Sequence, residues 1–208
     1  MTLQTLKDMK HTKIKRNQWE DHFTRKARKE KYPARSVYKL QEIQGKHKLI
    51  KKGARVLDLG CYPGSWLVYA AQITGPGGSV IGIDLKTVTE NLPSHVRIYT
   101  GDILALEAPL SESIGDSFDV VLSDMAPATT GNKNVDAARS FTLSEAALNI
   151  ATSRLLPGGS FVCKIFQGPD FNNFMDLVKA SFKNCKIIKP QSSRKTSKEI
   201  FIVGLHKK

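Results

Sequence analysis

Val56-Leu57-Asp58-Leu59-Gly60-Cys61-Tyr62-Pro63-Gly64-Ser65-Trp66 is an apolar run interrupted by one carboxylate, then a glycine-containing turn, then residues that can open a helix. Strand, tight turn and helix in that order make the ligand-binding end of an open α/β sheet. Gly60 and Gly64 allow a ligand close to the backbone. About one strand-helix unit later, Ile81-Gly82-Ile83-Asp84 closes a second apolar run with an acid, the position that holds ribose hydroxyls in such folds. Gly101-Asp102 follows a third run, where an acid can meet an adenine amino group.

Outward from this stretch, short β-rich runs alternate with longer helical periodicity, the pattern of a parallel α/β sheet. Seven strands are predicted: 55–59, 79–84, 96–99, 118–123, 160–166, 185–189 and 199–205. Helices are predicted from Asn17 to Glu30, Ser36 to Lys48, Asp136 to Leu156 and Asp170 to Phe182, the third stopped by Pro157-Gly158-Gly159 and the fourth capped by Asp170. Between the last two strands Pro190 to Lys198 is too short and polar for a crossover helix. An antiparallel, hairpin-like pair is therefore expected at the C-terminal edge.

The 208 residues carry a formal charge of +13, unevenly placed: residues 1–52 hold 16 Lys/Arg against 5 Asp/Glu, and the remainder 16 against 14. A basic N-terminal helical extension over 1–52 and a catalytic domain over 53–208 are expected. Such a segment suits a polyanion, because each cation that neutralises a phosphate releases counterions. Trp19, Phe23, Tyr32 and Tyr38 interleave the charges and offer stacking surfaces. Cys61, Cys163 and Cys185 form no CxxC pair, and His11, His22, His47, His95 and His206 show no ligand spacing, so no metal is expected. With no signal-peptide pattern and no apolar run near the roughly 20 residues that span a bilayer, a cytoplasmic protein away from membranes is expected.

The glycine turn argues against a dinucleotide. A pyrophosphate cradle needs G-x-G-x-x-G, but Tyr62 fills the second glycine position and Ser65 follows Gly64. S-adenosylmethionine has the ribose and adenine without a phosphate, and it suits D-x-G-x-x-P-G with Asp84 and Asp102. Four ionisable residues also sit where a catalytic residue would be useful: Lys39 in the basic helical segment and three at apolar runs, where charge is costly unless paired or used, namely Asp124 closing the fourth strand run, Lys164 within the fifth, and Glu199 opening the seventh.

The segments Ala34 to Leu40, Asp58 to Trp66, Leu122 to Pro127, Lys164 to Gly168 and Lys189 to Glu199 resemble, in order and spacing, the FtsJ/RrmJ family of ribose 2'-O-methyltransferases. The likeness is strongest to the branch acting on bacterial 23S ribosomal RNA. It implies a Rossmann-like methyltransferase fold: a seven-stranded, mostly parallel sheet with an antiparallel C-terminal edge strand and helices on both faces. It places a K-D-K-E tetrad on Lys39, Asp124, Lys164 and Glu199. The contacts to S-adenosyl-L-methionine, the methyl donor, fall on Asp58, Gly60, Gly64, Trp66, Asp84, Asp102 and Asp124. Cys61-Tyr62 departs from the usual small pair, and Ser65 stands where glycine is common.

The implied reaction is attack of a 2'-hydroxyl of a uridine in large-subunit ribosomal RNA on the donor methyl, with Lys164 as base. A neighbouring Lys39 disfavours its charged form, and Asp124 and Glu199 favour it. Amino methylation is disfavoured because Ser123-Asp124-Met125-Ala126-Pro127 lacks the Pro-Pro-aromatic loop, and pyrimidine C5 methylation because no cysteine is placed as nucleophile. Transfer RNA or messenger RNA cap substrates, a non-catalytic ribosome assembly factor and an NAD oxidoreductase are the alternatives. A monomer is adequate.

Overall fold

The structure, a computed structural model, describes residues 22–194 and 196–208. Trp19, Lys195 and the start of the helix expected from Asn17 lie outside the described residues. The elements in chain order are α1 (His22–Lys29), α2 (Val37–His47), β1 (Arg55–Leu59), α3 (Ser65–Thr74), β2 (Ser79–Asp84), β3 (Val96–Thr100), α4 (Ala108–Ile114), β4 (Phe118–Ser123), α5 (Lys133–Arg154), β5 (Leu155–Phe166), α6 (Phe171–Ser181), β6 (Phe182–Ile188) and β7 (Glu199–Lys207). A 3-10 turn at Ile103–Ala105 precedes α4.

The seven strands form one sheet in the order β3-β2-β1-β4-β5-β7-β6. The first five are parallel, and β7 runs antiparallel to both β5 and β6. The antiparallel pair lies at the C-terminal edge as expected, but within it β7 sits one place in and β6 takes the outside. Composition explains the order. Residues 200–204 of β7 are buried, whereas β6 exposes Lys183, Asn184 and Lys186 and suits a solvated edge.

Side-chain alternation along the central strands divides the core in two. Leu57, Leu59, Ile83, Val121 and Cys163 face Ala147, Leu148 and Ala151 of α5 and Phe174 and Val178 of α6. Val56, Val80, Val120, Leu122, Val162 and Phe201 face Leu40 and Ile43 of α2 and Leu67 and Ala70 of α3. Helix α2 is thus packed into the core of the sheet.

Several boundaries differ from the sequence expectation: β5 begins at Leu155, β6 spans Phe182–Ile188, β7 runs on to Lys207, and the long helix differs at both ends. Helix α5 begins at Lys133, because the Asn132 side chain accepts from the amides of Asn134 and Val135. It ends at Arg154, two residues before the predicted end and ahead of Pro157. The chain passes directly into β5, where Leu155 pairs with Phe118 across an irregularity in register. The Arg154 guanidinium bonds the Gly115 carbonyl at 2.6 Å and Asp116 at 2.9 Å, which fixes that end.

Candidate active site

The order β2-β1-β4 reverses the direction of chain progression at β1, and a crevice opens beyond the strand ends there. It is a cleft of about 600 Å³ lined by Gly60, Tyr62, Asp84, Asp102, Asp124 and Met125, among others. The glycine turn is tied to the end of β2: the Gly60 and Cys61 amides donate to the Ile83 carbonyl at 2.8 and 3.2 Å. Asp84 accepts from the amides of Tyr62 at 2.9 Å and Lys86 at 2.8 Å, and Asp102 caps the 3-10 turn through the Leu104 amide at 2.9 Å. Both acids have been oriented by backbone. Gly60, at φ +75°, would carry any Cβ to 2.2 Å from Met125 Cγ, so only glycine leaves this wall in place. Tyr62, half exposed, stands at the rim.

The other residues expected to meet the donor lie behind this surface. Asp58 is 1% exposed, its Oδ2 has no hydrogen-bond partner among the described residues, and it faces a space of about 30 Å³ shared with Ser36, Gly60, Trp66 and Asp124. Burial, and then the Asp124 and Asp84 carboxylates, push its carboxyl well above the usual range. Gly64, at φ +111°, precedes α3 and lies against Val88. Trp66 is buried: its indole N–H donates to the Ser36 carbonyl at 2.9 Å, and its ring lies 5.9 Å from that of Phe201. It ties the start of α2 to the sheet.

Lys39 from α2, Asp124 after β4, Lys164 on β5 and Glu199 at the start of β7 converge. Lys39 Nζ lies 3.0 Å from both Glu199 carboxylate oxygens and 3.6 Å from Asp124 Oδ1. Lys164 Nζ lies 2.9 Å from Asp124 Oδ1 and also donates to the Asp124 backbone carbonyl. Asp124 Oδ1 accepts no well-aligned hydrogen bond, yet that ammonium satisfies it as an ion pair. The chain Glu199–Lys39–Asp124–Lys164 alternates in sign, with 6 to 14% of each side chain exposed. Burial pushes the Glu199 carboxyl up, but the Lys39 ammonium and its hydrogen bond, with Ser193 and Lys164, bring it below the usual value.

On the far side of the tetrad lies a niche of about 360 Å³ lined by Arg35, Ser36, Lys39, Arg194, Thr196 and Glu199. Asp124 therefore fronts one cleft, and Lys39 and Glu199 the other. The Cys163 thiol beside Lys164 is buried, and burial pushes it up to about 12, so it is no nucleophile at neutral pH.

Two organising acids escaped the sequence reading. Glu42 on α2 accepts from the amides of Gln191 at 2.7 Å and Ser192 at 2.9 Å, holding the basic loop before β7. No local signal reveals it, since its partners are about 150 residues away in the chain. Asp136 on α5 accepts from Thr130 N at 2.7 Å, Thr130 Oγ1 at 2.9 Å and Gly131 N at 3.2 Å. It braces the segment that follows Asp124. An acid in the first turn, just after Thr-Gly-Asn, was the available hint.

A family model described as FtsJ-like methyltransferase matches residues 32–207. The chain is 59% identical over 203 residues to the ribosomal RNA large subunit methyltransferase E of Desulforapulum autotrophicum, covering 98% of this chain and all of that one. It is 52% identical to the protein of that name in Desulfosudis oleivorans, covering 96% and 97%. A solved structure from Plasmodium falciparum, provisionally described as a ribosomal RNA methyltransferase, superposes with a TM-score of 0.73 at 28% identity, covering 85% of this chain and 98% of that chain. Aeropyrum pernix fibrillarin, solved with bound S-adenosyl-L-methionine, shares the fold at a TM-score of 0.60 and 16% identity, covering 82% and 76%. The chain belongs to the FtsJ-like methyltransferase family.

Proposed function

We propose that this protein transfers a methyl group from S-adenosyl-L-methionine to the 2'-hydroxyl of a uridine in large-subunit (23S) ribosomal RNA. The observation that carries the reading is the convergence of Lys39, Asp124, Lys164 and Glu199 into one ion-pair chain between two clefts. Relatives bearing the name ribosomal RNA large subunit methyltransferase E, alignable over nearly the whole chain, point to the same RNA.

The larger cleft fits the donor. It presents oriented acids rather than a phosphate cradle, and the unpartnered buried Asp58 oxygen behind it calls for a cation such as an α-ammonium. Asp84 would hold the ribose, Asp102 the adenine, and Gly60 would admit the ligand to the backbone; Gly64 and Trp66 keep that turn in shape. When bound, the donor supplies an electrophilic methyl on a sulfonium. Lys164 directs N–H groups to the carbonyl and carboxylate of Asp124, which leaves a third position on its nitrogen for the ribose oxygen. From there it takes the hydroxyl proton or stabilises the alkoxide as it forms. Lys39 and Glu199 orient the ribose from the other cleft.

Residues 1–52 form the RNA-binding extension on the 53–208 domain, and Arg194 and Lys198 of the loop before β7 grip phosphates beside the tetrad. The protein works as a cytoplasmic monomer; among the described residues no helix is long and apolar enough to cross a membrane. The test is Lys164→Ala assayed on undermethylated large ribosomal subunits. Donor affinity is expected to persist while methyl transfer falls by at least about a hundredfold. Full activity would remove this lysine from the mechanism.

A further inference from the structure

At the opposite pole of the sheet, where the parallel strands begin, a second cleft of about 680 Å³ is lined by His47, Lys48, Lys51, Lys52, Asp119 and Gly158, among others. Lys48, Lys51 and Lys52 are exposed, and among the described residues none of the three is in an ion pair. Asp119, the acid of the cleft, already accepts from the Arg55 amide at 2.8 Å. The lysines are carried on a fixed loop. The buried Gln44 side chain clamps Ile50 from both sides, donating to its carbonyl at 2.7 Å and accepting from its amide at 2.9 Å. The Gly53 amide donates to the Thr74 carbonyl at 2.8 Å, and the Lys48 amide to the Gln44 carbonyl at 2.8 Å. At Gly158 the wall is open, with no heavy atom within 4 Å of where a Cβ would sit.

Asp119 lines this cleft and Asp124 lines the donor cleft, at opposite ends of the six-residue β4, so the two sites lie about 17 Å apart along the sheet. The basic charge of the N-terminal quarter is thus divided between two poles. We propose that the Lys48–Lys51–Lys52 cleft is a second phosphate-binding site for the RNA substrate, engaging backbone remote from the methylated ribose. The inference rests on the ribosomal RNA reading and sharpens it. Because the two clefts open at opposite ends of the strands, a substrate that fills both must pass round the sheet, as a folded RNA in a ribosomal particle can, whereas a short hairpin seated at the tetrad stays at one pole. Unpaired lysine ammonium groups carried on an anchored backbone along a concave surface recognise phosphate as point charges without reading base identity.

The test is the full chain bearing Lys48→Gln, Lys51→Gln and Lys52→Gln together. On undermethylated large subunits the KM for RNA is expected to rise about tenfold with kcat unchanged, and the slope of log affinity against log salt to flatten by about 2 to 3. Binding of S-adenosylhomocysteine, and of a short RNA hairpin carrying the target ribose, stays at the wild-type value. An unchanged salt slope on subunits overturns the proposal, as does an equal loss on the hairpin. If the wild-type protein itself methylates no RNA, the parent reading falls first, and this one with it.

Discussion

Lys39 is the shared cation of the tetrad, and replacing it by methionine tests whether the cluster is held by charge. Lys39→Met keeps a stem of similar shape beneath Phe201, whose ring centroid lies 5.6 Å from the ammonium, and deletes the charge. Asp124 retains Lys164 at 2.9 Å, so the stranded ion is Glu199, whose side chain is 12% exposed. Breaking a wholly buried pair from one side costs about 3–5 kcal/mol. With residual exposure and protonation available to Glu199, about 2 kcal/mol is expected at pH 7, or about 4–8 °C in Tm for a domain of this size. The sign with pH follows from the native carboxyl. Burial raises it, Lys39 lowers it by more, and it ends below its ordinary 4.5. Wild-type protein therefore gains stability from this ion above that value and loses it as pH falls through the depressed native one. In Lys39→Met the main opposing influence on burial is gone, so the Tm deficit is largest near neutrality, shrinks as pH falls towards 4.5 and closes below the depressed wild-type value. Adding Glu199→Gln removes the stranded charge and should restore most of the Tm without restoring methyl transfer. Thermal melts of the three proteins across that pH range are the assay. A Tm gap that is constant with pH, or no rescue by the second substitution, would refute the reasoning.

Glu42→Ala frees the Gln191 and Ser192 amides and with them the basic loop before β7. A severalfold rise in KM for RNA is expected, with donor affinity unchanged and about 1–2 kcal/mol lost in stability; an unaltered KM would show that the loop needs no brace. Asp58 carries a carboxyl raised by burial and by Asp124 and Asp84, and a bound α-ammonium favours its ionised form. Donor affinity should therefore climb with pH from the ordinary carboxylate range up through the raised value of the free protein, with a proton released on binding, and flatten in Asp58→Asn. Calorimetry in buffers of different ionisation heat reads that proton, and a pH-independent wild-type affinity would place the ammonium elsewhere.

Elements with strong periodicity were legible because local pattern and tertiary role agree. The runs 55–59, 79–84 and 118–123 are strands with those limits, since each is apolar on both faces and bounded by turn residues. Where neighbours decide, local pattern fell short. Leu155 reads as the end of a helix but joins β5, because Phe118 is there to pair with it. Three members of the tetrad were visible as charge at the ends of apolar runs, and Lys39 through the family segment that holds it, whereas Glu42 looks like ordinary helix surface and Asp136 like a plain first-turn acid. Their partners are mainly backbone amides, which every residue but proline possesses, and a sequence cannot say which of them will arrive. The basic segment misled in another way: a charge count has no direction, and only the fold shows that Lys48, Lys51 and Lys52 turn away from Lys39.

The direction of β7 is what permits the tetrad. Asp124 follows the end of β4 and Lys164 lies near the end of β5, both at the pole where parallel strands finish. A parallel seventh strand would begin at the other pole, and a residue opening it would lie a strand length from both. Because β7 is antiparallel, its first residue pairs with the last of β5, Glu199 opposite Phe166, and Lys164 faces Phe201 two rungs away. The short polar loop 190–198 makes this reversal possible, as no helix is needed to carry the chain back. The same reversal sends the other end of β7 to the far pole, where Leu205 and His206 help wall the lysine cleft. One strand thereby supplies the Glu199 carboxylate of the tetrad at one end of the sheet and a wall of the proposed phosphate site at the other. Inserted between β5 and β6 and buried along residues 200–204, it is also a rigid link between the two.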